Sequence, residues 1–322
     1  MKREEAYSLI ERLPKDLKFF YFRDREAAWL LLQLIDGSRN ISDLRKTRYG
    51  KLLQRPLIKE CISIKGDGKI SAEDLLPAAE PDTGVPEGGW SRSQAAVLES
   101  SYDNPWHDFR ISFDIWDGES DPFAQVSRPG VNVVMQLSFS SDHSAYLGKL
   151  RQDNARERFE FEEHPIRVEG NPTLAWARLD IDAKSRTALI EEIQSDWLRI
   201  AKKRVQRLAK YQPESYALQI YRQYLREIED RYARDWPRAT MLVALKILVK
   251  ELGCRTIYFH TPESGEALKH NHNAPKSLYT DLPTHFCFAK TKRWPPFIRR
   301  SVRKLHGNNN PTGDIQFWVL KF

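Results

Sequence analysis

The strongest constraint on the fold is a pair of apolar segments joined by a short polar turn. The segments "TLAWARLDID" and "TALIEEIQSD" flank the turn at residues 183–186. Two extended runs connected so tightly predict an antiparallel hairpin. The second run contains the adjacent carboxylates Glu191 and Glu192. Because burying a carboxylate costs free energy unless it is paired or used, this strand predicts either ion pairs or a functional site.

The rest of the chain indicates a mixed domain. Further strands are predicted at "RISFDIW", "VNVVMQLSF", "RTIYFHT" and "IQFWVLKF", and helices at roughly residues 197–210, 214–234 and 237–252. The last of these helices could cross over between two parallel strands. We therefore expect an α+β fold with a mixed, largely antiparallel sheet and packed helices, together with a small N-terminal helical unit.

Composition along the chain suggests where the units divide. Residues 1–76 have mostly helical apolar spacing, and residues 77–92 concentrate proline and glycine without periodicity. Such a stretch is typical of a linker. The sequence thus predicts a helical N-terminal unit at 1–76, a linker at 77–92 and an α+β domain at 93–322 that ends in a basic segment.

Two features bear on location. The segment "MKREEAYSLIERL" alternates charged and apolar residues, and no apolar run approaches the roughly 18 residues that a membrane helix needs. Cys61, Cys254 and Cys287 lie far apart, which is not typical of a disulfide framework. We expect a cytoplasmic protein with reduced cysteines and no membrane partner.

The net charge of +7 is concentrated in two basic segments, which predict a nucleic acid or an acidic protein as partner. The alternative is a solvated helix face and a basic tail. Tyr211, Trp294 and Phe297 lie within or beside these segments and could stack on bases. The prolines of "RWPPFIRR" favour an extended segment held on a surface. The basic residues are Arg199, Lys202, Lys203, Arg204, Arg207 and Lys210 in the first segment, and Lys290, Lys292, Arg293, Arg299, Arg300, Arg303 and Lys304 in the second.

Strand alternation assigns different environments to the two glutamates. It places Glu191 on one face of the strand, and Glu192 with Gln194 on the other. Glu192 could act as a general base, with Gln194 orienting a ligand, while Glu191 could be a buried carboxylate whose pKa is raised by desolvation. The structural alternative is that they pair with Arg178 or Arg186.

The remaining sequence patterns do not indicate a catalytic motif or a metal site. No Gly-x-Ser-x-Gly elbow, P-loop or dinucleotide-binding glycine pattern occurs. Several potential ligands occur late in the chain without the spacing of a metal site, so we predict no metal. These residues are His260, His270, His272, His285 and Cys287.

The segment from about residue 173 to 288 resembles the GNAT acyltransferase superfamily in the order of its hairpin, the helix "MLVALKILVKELG", the strand "RTIYFHT" and the stretch "SLYTDLPTHFCF". The resemblance implies transfer of an acyl group from acetyl-CoA to an amine, which Glu192 or Glu191 would deprotonate directly or through water. It also implies that Tyr279 protonates the leaving thiolate and that Cys287 stands where glycine is usual. The family's glycine-rich cofactor loop is replaced by "RYARDWPRAT", where Arg234 and Arg238 would contact the cofactor phosphates. Gln194, at the end of the preceding strand, would also contribute to cofactor binding.

The string "EEIQSDW", followed by a helix and a strand, is also similar to a domain of large polyvalent proteins of phages and mobile elements. No chemistry follows from that likeness. Two hypotheses therefore stand side by side. The chain is a GNAT-like N-acyltransferase or a degenerate relative, or it is a non-catalytic protein that binds nucleic acid or an acidic partner.

Overall fold

The chain forms two compact units. The computed structural model describes residues 1–15, 17–63, 66–81, 106–117, 125–139, 143, 148, 150, 159–161, 164, 171–269, 275–307 and 315–322. The larger unit comprises Met1–Leu17, Phe109–Thr284 and Phe288–Lys321, and the smaller comprises Lys18–Asp108, His285–Cys287 and Phe322. Most of the sequence-predicted linker at 77–92 lies outside the described residues.

The elements in chain order are α1 (Arg3–Glu11), β1 (Leu17–Tyr21), α2 (Arg25–Leu32), β2 (Ser38–Asn40), α3 (Ile41–Arg45), α4 (Pro56–Ser63), β3 (Lys69–Ser71), α5 (Ala72–Ala79), β4 (His107–Asp117) and β5 (Val131–Ser138). They continue with β6 (Thr173–Asp182), β7 (Thr187–Gln194), α6 (Asp196–Tyr211), α7 (Tyr216–Ile228), α8 (Trp236–Lys246), β8 (Thr256–His260), α9 (Pro262–Lys269), α10 (Leu282–His285), β9 (Ala289–Thr291), α11 (Arg299–Gly307) and β10 (Phe317–Lys321). Shorter 3-10 and π-helical turns cover Gly50–Gln54, Glu229–Ala233, Ile247–Glu251, Ser277–Asp281 and Pro296–Ile298.

The sheet of the larger unit is mixed and largely antiparallel. Its strands follow the order β4-β5-β6-β7-β8-β10-β9. Every neighbouring pair in this series is antiparallel except β7 and β8, which run parallel. The predicted hairpin of β6 and β7 is confirmed, and so is the predicted α+β class with a mixed sheet and packed helices.

The connection between the parallel strands contains three helices. Helices α6 and α7 pack against each other across a short turn, and α8 packs on β6 and β7. Most of α8 is buried, from Ala239 to Leu245, and Pro237 lies in its first turn, where proline is tolerated. The three predicted helices are confirmed. Among the described residues, no helix combines the length and apolarity needed to cross a membrane.

A hydrophobic cluster lies between the sheet and α11. Leu189, Tyr258 and Phe317 from three strands pack with Ile298 and Val302. Because Ile298 and Val302 are four residues apart, they share one face of a helical segment and are buried together. The expectation of an extended segment at "RWPPFIRR" is therefore wrong, since the chain turns there and enters a helix.

The smaller unit is mostly helical. It contains α2 to α5 and the antiparallel pair of β2 and β3. Arg25 is fully buried in α2, and its guanidinium donates hydrogen bonds to the backbone carbonyls of Phe20 and Ala79. These bonds satisfy a charge that would otherwise be costly to bury.

Candidate functional site

A β-bulge lies at the two glutamates. Arg178 of β6 is opposite Glu192 of β7, but the next pair is Leu179 and Ile190, so Glu191 is an extra residue on β7. Paired residues of an antiparallel ladder point to the same face, which places Glu192 with Arg178. The bulge turns Glu191 to this face as well, where the charge of Arg178 influences its pKa. The expectation that the two glutamates face opposite sides is wrong, because it assumed a regular strand.

Glu192 forms a buried ion pair. One of its carboxylate oxygens lies 2.5 Å from a terminal nitrogen of Arg178. The Arg178 guanidinium also lies over the rings of Trp116 and Trp176, at 4.9 and 5.9 Å from their centroids. Burial by itself raises the pKa of Glu192, but the positive charges of Arg178 and Lys269 outweigh burial and leave this pKa lowered. The hypothesis of a pair with Arg178 is confirmed.

Glu191 is the centre of a second buried network. Its carboxylate accepts hydrogen bonds from the backbone N–H and the hydroxyl of Ser127, at 3.1 and 2.8 Å, and lies 3.1 Å from Nε2 of His260. The ammonium of Lys269 donates to the Glu191 backbone carbonyl at 2.5 Å. Burial raises the pKa of Glu191, but His260 and Lys269 outweigh burial and lower it. The expectation of a raised pKa is wrong, because these partners favour the carboxylate form.

The buried histidine does not have the geometry of a catalytic triad. Nε2 of His260 faces both Ser127 Oγ, at 2.9 Å, and Glu191, whereas a triad holds the serine and the acid on opposite ring nitrogens. Nδ1 faces Ser264 Oγ at 2.9 Å, and that hydroxyl accepts the Thr261 N–H at the start of α9. Ser127, His260 and Ser264 are all buried. Burial also lowers the pKa of His260, which favours the neutral imidazole.

A third cluster is more open and surrounds Asp196, the first residue of α6. This carboxylate accepts hydrogen bonds from Nδ1 of His164 at 2.7 Å, Nε1 of Trp176 at 3.1 Å and the Gln194 amide at 2.7 Å, and it contacts Arg199. Burial raises the pKa of Asp196, but the hydrogen bond and charge of His164 come next and help to lower it to about 2. The carboxylate is therefore ionised and fixes the orientation of its four partners.

His164 has the chemistry of a proton acceptor. In its neutral form, an imidazole whose Nδ1–H is bonded to Asp196 carries the lone pair on Nε2, as in histidine general bases. The side chain is 23% exposed, and among the described residues only Nδ1 has hydrogen-bonding contacts. The rings of Phe161 and Trp116 lie 4.8 and 6.1 Å from the imidazole. Sequence reasoning missed His164 because it lies in an aperiodic stretch and meets Asp196 only in the folded chain.

The other predicted site residues lie apart from the glutamates. Tyr279 is buried and stacks on Phe259 of β8 with 5.4 Å between ring centroids. Arg234 is exposed just before α8, and Arg238 is half-buried in the first turn of that helix. Within the described part of the chain, no hydrogen bond or ion pair joins these three residues to Glu191. Gln194 is half-buried and belongs to the Asp196 cluster.

The late histidines and Cys287 separate into different environments. His285, in the smaller unit, lies between Glu26 and Arg55, with Nε2 2.5 Å from the Glu26 carboxylate. Cys287 has a positive φ of 60°, a conformation that glycine adopts more readily. The prediction that this cysteine occupies a glycine-like position is therefore supported by its backbone. His270 and His272 lie outside the described residues.

The basic residues predicted to contact a partner lie on two surfaces. A groove of about 620 Å³ on α6 is lined by Arg204, Arg207, Leu208, Tyr211 and Gln212. Along α6 the exposed cations are Arg199, Lys202, Lys203, Arg207 and Lys210, whereas Arg204 is half-buried. The second surface, on and around β9 and α11, exposes Lys290, Lys292, Arg293, Arg299, Arg300, Arg303 and Lys304.

Comparison with known proteins adds no family to this description. No family model matches the chain, and no curated protein or solved structure matches it significantly.

Proposed function

We propose that the chain is a GNAT-like protein that transfers an acyl group from acyl-CoA to an amine. The observation that carries this proposal is the pairing of the parallel strands. β7 and β8 pair from Thr187 and Thr256 to Ile190 and Phe259, but β7 continues to Gln194. β8 ends at His260, so β7 extends past the end of β8 from the bulge onward, and the Glu191 carbonyl accepts a hydrogen bond from Lys269 in place of a ladder partner. In the resemblance inferred from the sequence, the thioester arm enters where this strand pairing ends.

The connection between the strands supports the same location for the cofactor. α6 starts at the carboxyl end of β7, and α7 packs back along it, so the chain returns before α8 begins. The first turn of α8 then lies toward the carboxyl ends of the strands, where ligands of such sheets bind. The side chains of Arg234 and Arg238 at this turn suit phosphates, whereas Pro237 removes one backbone N–H donor. The buried carboxylate of Asp235 in the same turn subtracts from this positive charge.

Acyl-CoA would supply the activated acyl group, and the protein would remove a proton from the amine. Glu192 is the base suggested by the sequence, but its carboxylate is paired with Arg178. The half-buried imidazole of His164, held by Asp196, is the better-placed acceptor on the same side of β7. Tyr279 is the proton donor that the resemblance implies, but it stacks on Phe259, whose pairing with Ile190 puts it on the face of the sheet opposite Glu192.

Calorimetric titration with acetyl-CoA tests the cofactor. We expect saturable binding that weakens at least several-fold in Arg234→Ala/Arg238→Ala, because two phosphate contacts are lost. Lys250→Ala, which removes an exposed cation just beyond the opposite end of α8, should bind as the unaltered protein does. Absence of binding, or equal weakening by both variants, would contradict the proposal.

The proton acceptor is identified by thiol release from acetyl-CoA with a panel of primary amines. His164→Asn should lower the turnover rate by about 10²-fold or more while leaving acetyl-CoA binding unchanged, because general base catalysis contributes on that order. Turnover that persists in His164→Asn would assign the proton transfer elsewhere. Glu192→Gln with a normal melting temperature but no turnover would return the role to Glu192.

A further inference from the structure

The end of the α6–α7 hairpin exposes two large aromatic side chains. Tyr211, the last residue of α6, is 67% exposed, and Tyr216, the first residue of α7, is 65% exposed. Most other large aromatic side chains among the described residues are at least half-buried. The rings of Tyr211 and Tyr216 are therefore accessible to a ligand from solvent.

The groove on α6 opens beside one of these rings. The groove is lined by Arg204, Arg207, Leu208, Tyr211 and Gln212, and the Arg204 guanidinium also lies over the ring of Tyr221. The Lys210 ammonium lies 5.0 Å from the centroid of the Tyr211 ring. Positive charge, an aromatic ring and an amide that can form hydrogen bonds therefore lie within the last turns of α6 and its C-cap. This combination suits a ligand that carries both phosphate and a planar base.

Positive charge continues from the groove along the exposed side of α6. Arg199, Lys203 and Lys210 follow one another at helical spacing, and the opposite side of α6 is buried through Trp197 and Leu208. Asp196 is the only acidic residue of α6. Glu214, in the turn after α6, adds one exposed negative charge near the tyrosines. The result is a cationic track that ends at an aromatic platform.

We infer that this surface binds single-stranded nucleic acid, independently of the acyl transfer proposed above. Bases stack on Tyr211 and Tyr216, while the phosphates follow the cations of α6. A duplex fits less well, because its base faces are covered by stacking within the helix. An acidic polypeptide would use the cations alone and would have no need for the two exposed rings.

Fluorescence anisotropy with a labelled single-stranded oligonucleotide tests this inference in the full chain. We expect Tyr211→Ala/Tyr216→Ala to weaken binding about tenfold or more, because stacking is lost, and the corresponding double Phe variant to keep nearly full affinity. Arg207→Ala/Lys210→Ala should weaken binding and reduce its dependence on salt. Both tyrosines are exposed, so these variants should keep the melting temperature of the unaltered protein.

Three controls make the inference falsifiable. Lys290→Ala/Lys292→Ala removes an equal charge from the other basic surface and should leave affinity within about twofold of the unaltered protein. A duplex of the same sequence and polyglutamate should bind more weakly than the single strand. The inference would be overturned if polyglutamate bound as tightly as the single strand, or if Tyr211→Ala/Tyr216→Ala had no effect. It would also be overturned if Lys290→Ala/Lys292→Ala lost as much affinity as Arg207→Ala/Lys210→Ala.

Discussion

Glu192 and Arg178 are buried together on one face of the sheet, with 2.5 Å between carboxylate and guanidinium. Removing one charge of such a pair leaves the other uncompensated. We therefore expect Glu192→Gln to lower the free energy of unfolding by about 3–5 kcal/mol. The exposed Glu214→Gln serves as the control and should change it by less than about 0.5 kcal/mol. Chemical denaturation of the two variants provides the comparison.

The same pair can be removed as a unit. Arg178→Met combined with Glu192→Leu replaces both charges by apolar side chains of similar size, a change that is often nearly neutral. We expect the double variant to be more stable than either single variant. Additive losses would show that Arg178 and Glu192 do not interact in the folded protein.

The buried network around Glu191 predicts opposite effects on His260. The Lys269 ammonium lowers the pKa of His260, whereas the hydrogen bond to Glu191 raises it. Lys269→Met should therefore raise the pKa of His260, and Glu191→Gln should lower it further. Titration of the imidazole Cε1–H resonance by NMR measures both shifts. Shifts in the same direction would contradict the contacts among these three residues.

The Asp196 cluster predicts a loss of stability in acid. The pKa of Asp196 is about 2 in the folded protein, against about 3.9 in an unfolded chain. Its contribution is therefore fully present above about pH 4 and is lost as the pH falls toward 2. Between pH 5 and pH 2, the free energy of unfolding of the unaltered protein should fall by about 2 kcal/mol more than that of Asp196→Asn. Urea denaturation at the two pH values measures this difference. Equal losses of stability in the unaltered protein and in Asp196→Asn would show that the protonation of Asp196 is not coupled to folding.

At position 287 a glycine variant should be more stable than an alanine variant, the reverse of the usual order of stability. Because its φ is 60°, a side chain there costs about 1 kcal/mol relative to glycine. Cys287→Gly should therefore be more stable than Cys287→Ala by about that amount. The matched control is Cys61, also buried but in α4, where alanine should be the more stable by about 1 kcal/mol. The melting temperatures of Cys287→Gly, Cys287→Ala, Cys61→Gly and Cys61→Ala measure both differences.

Much of the larger unit could be predicted because its apolar runs are long and uninterrupted. Strand β6 was predicted at its observed bounds, and the three helices before β8 were predicted within a few residues. The bulge at Glu191 could not be predicted, since alternation along one strand carries no information about its partner's register. α11 was missed although Ile298, Val302 and Leu305 have helical spacing, because the prolines before it favoured an extended chain.

The contacts of the candidate site also divide into those that the sequence could predict and those that it could not. Sequence separation across the hairpin predicts Arg178 opposite Glu191, and the bulge shifts this pairing by one residue to Glu192, so the partner could be predicted only to within one residue. His260 and Lys269 reach Glu191 from elements that follow long connections, and no local pattern connects them. The role of Asp196 was interpreted only as part of a helix start, because its partner His164 comes from a distant segment.

The central claim is that acyl-CoA binds beside the part of β7 that extends past the end of β8. An NMR titration with acetyl-CoA, observed through backbone amide resonances, tests this claim most directly. The account predicts saturable shifts at Glu191, Glu192 and Gln194 and in the first turn of α8, whereas inorganic pyrophosphate alone should shift only the α8 resonances. Shifts confined to the cations of α6, removed by pyrophosphate, or no shifts at all, would contradict the account.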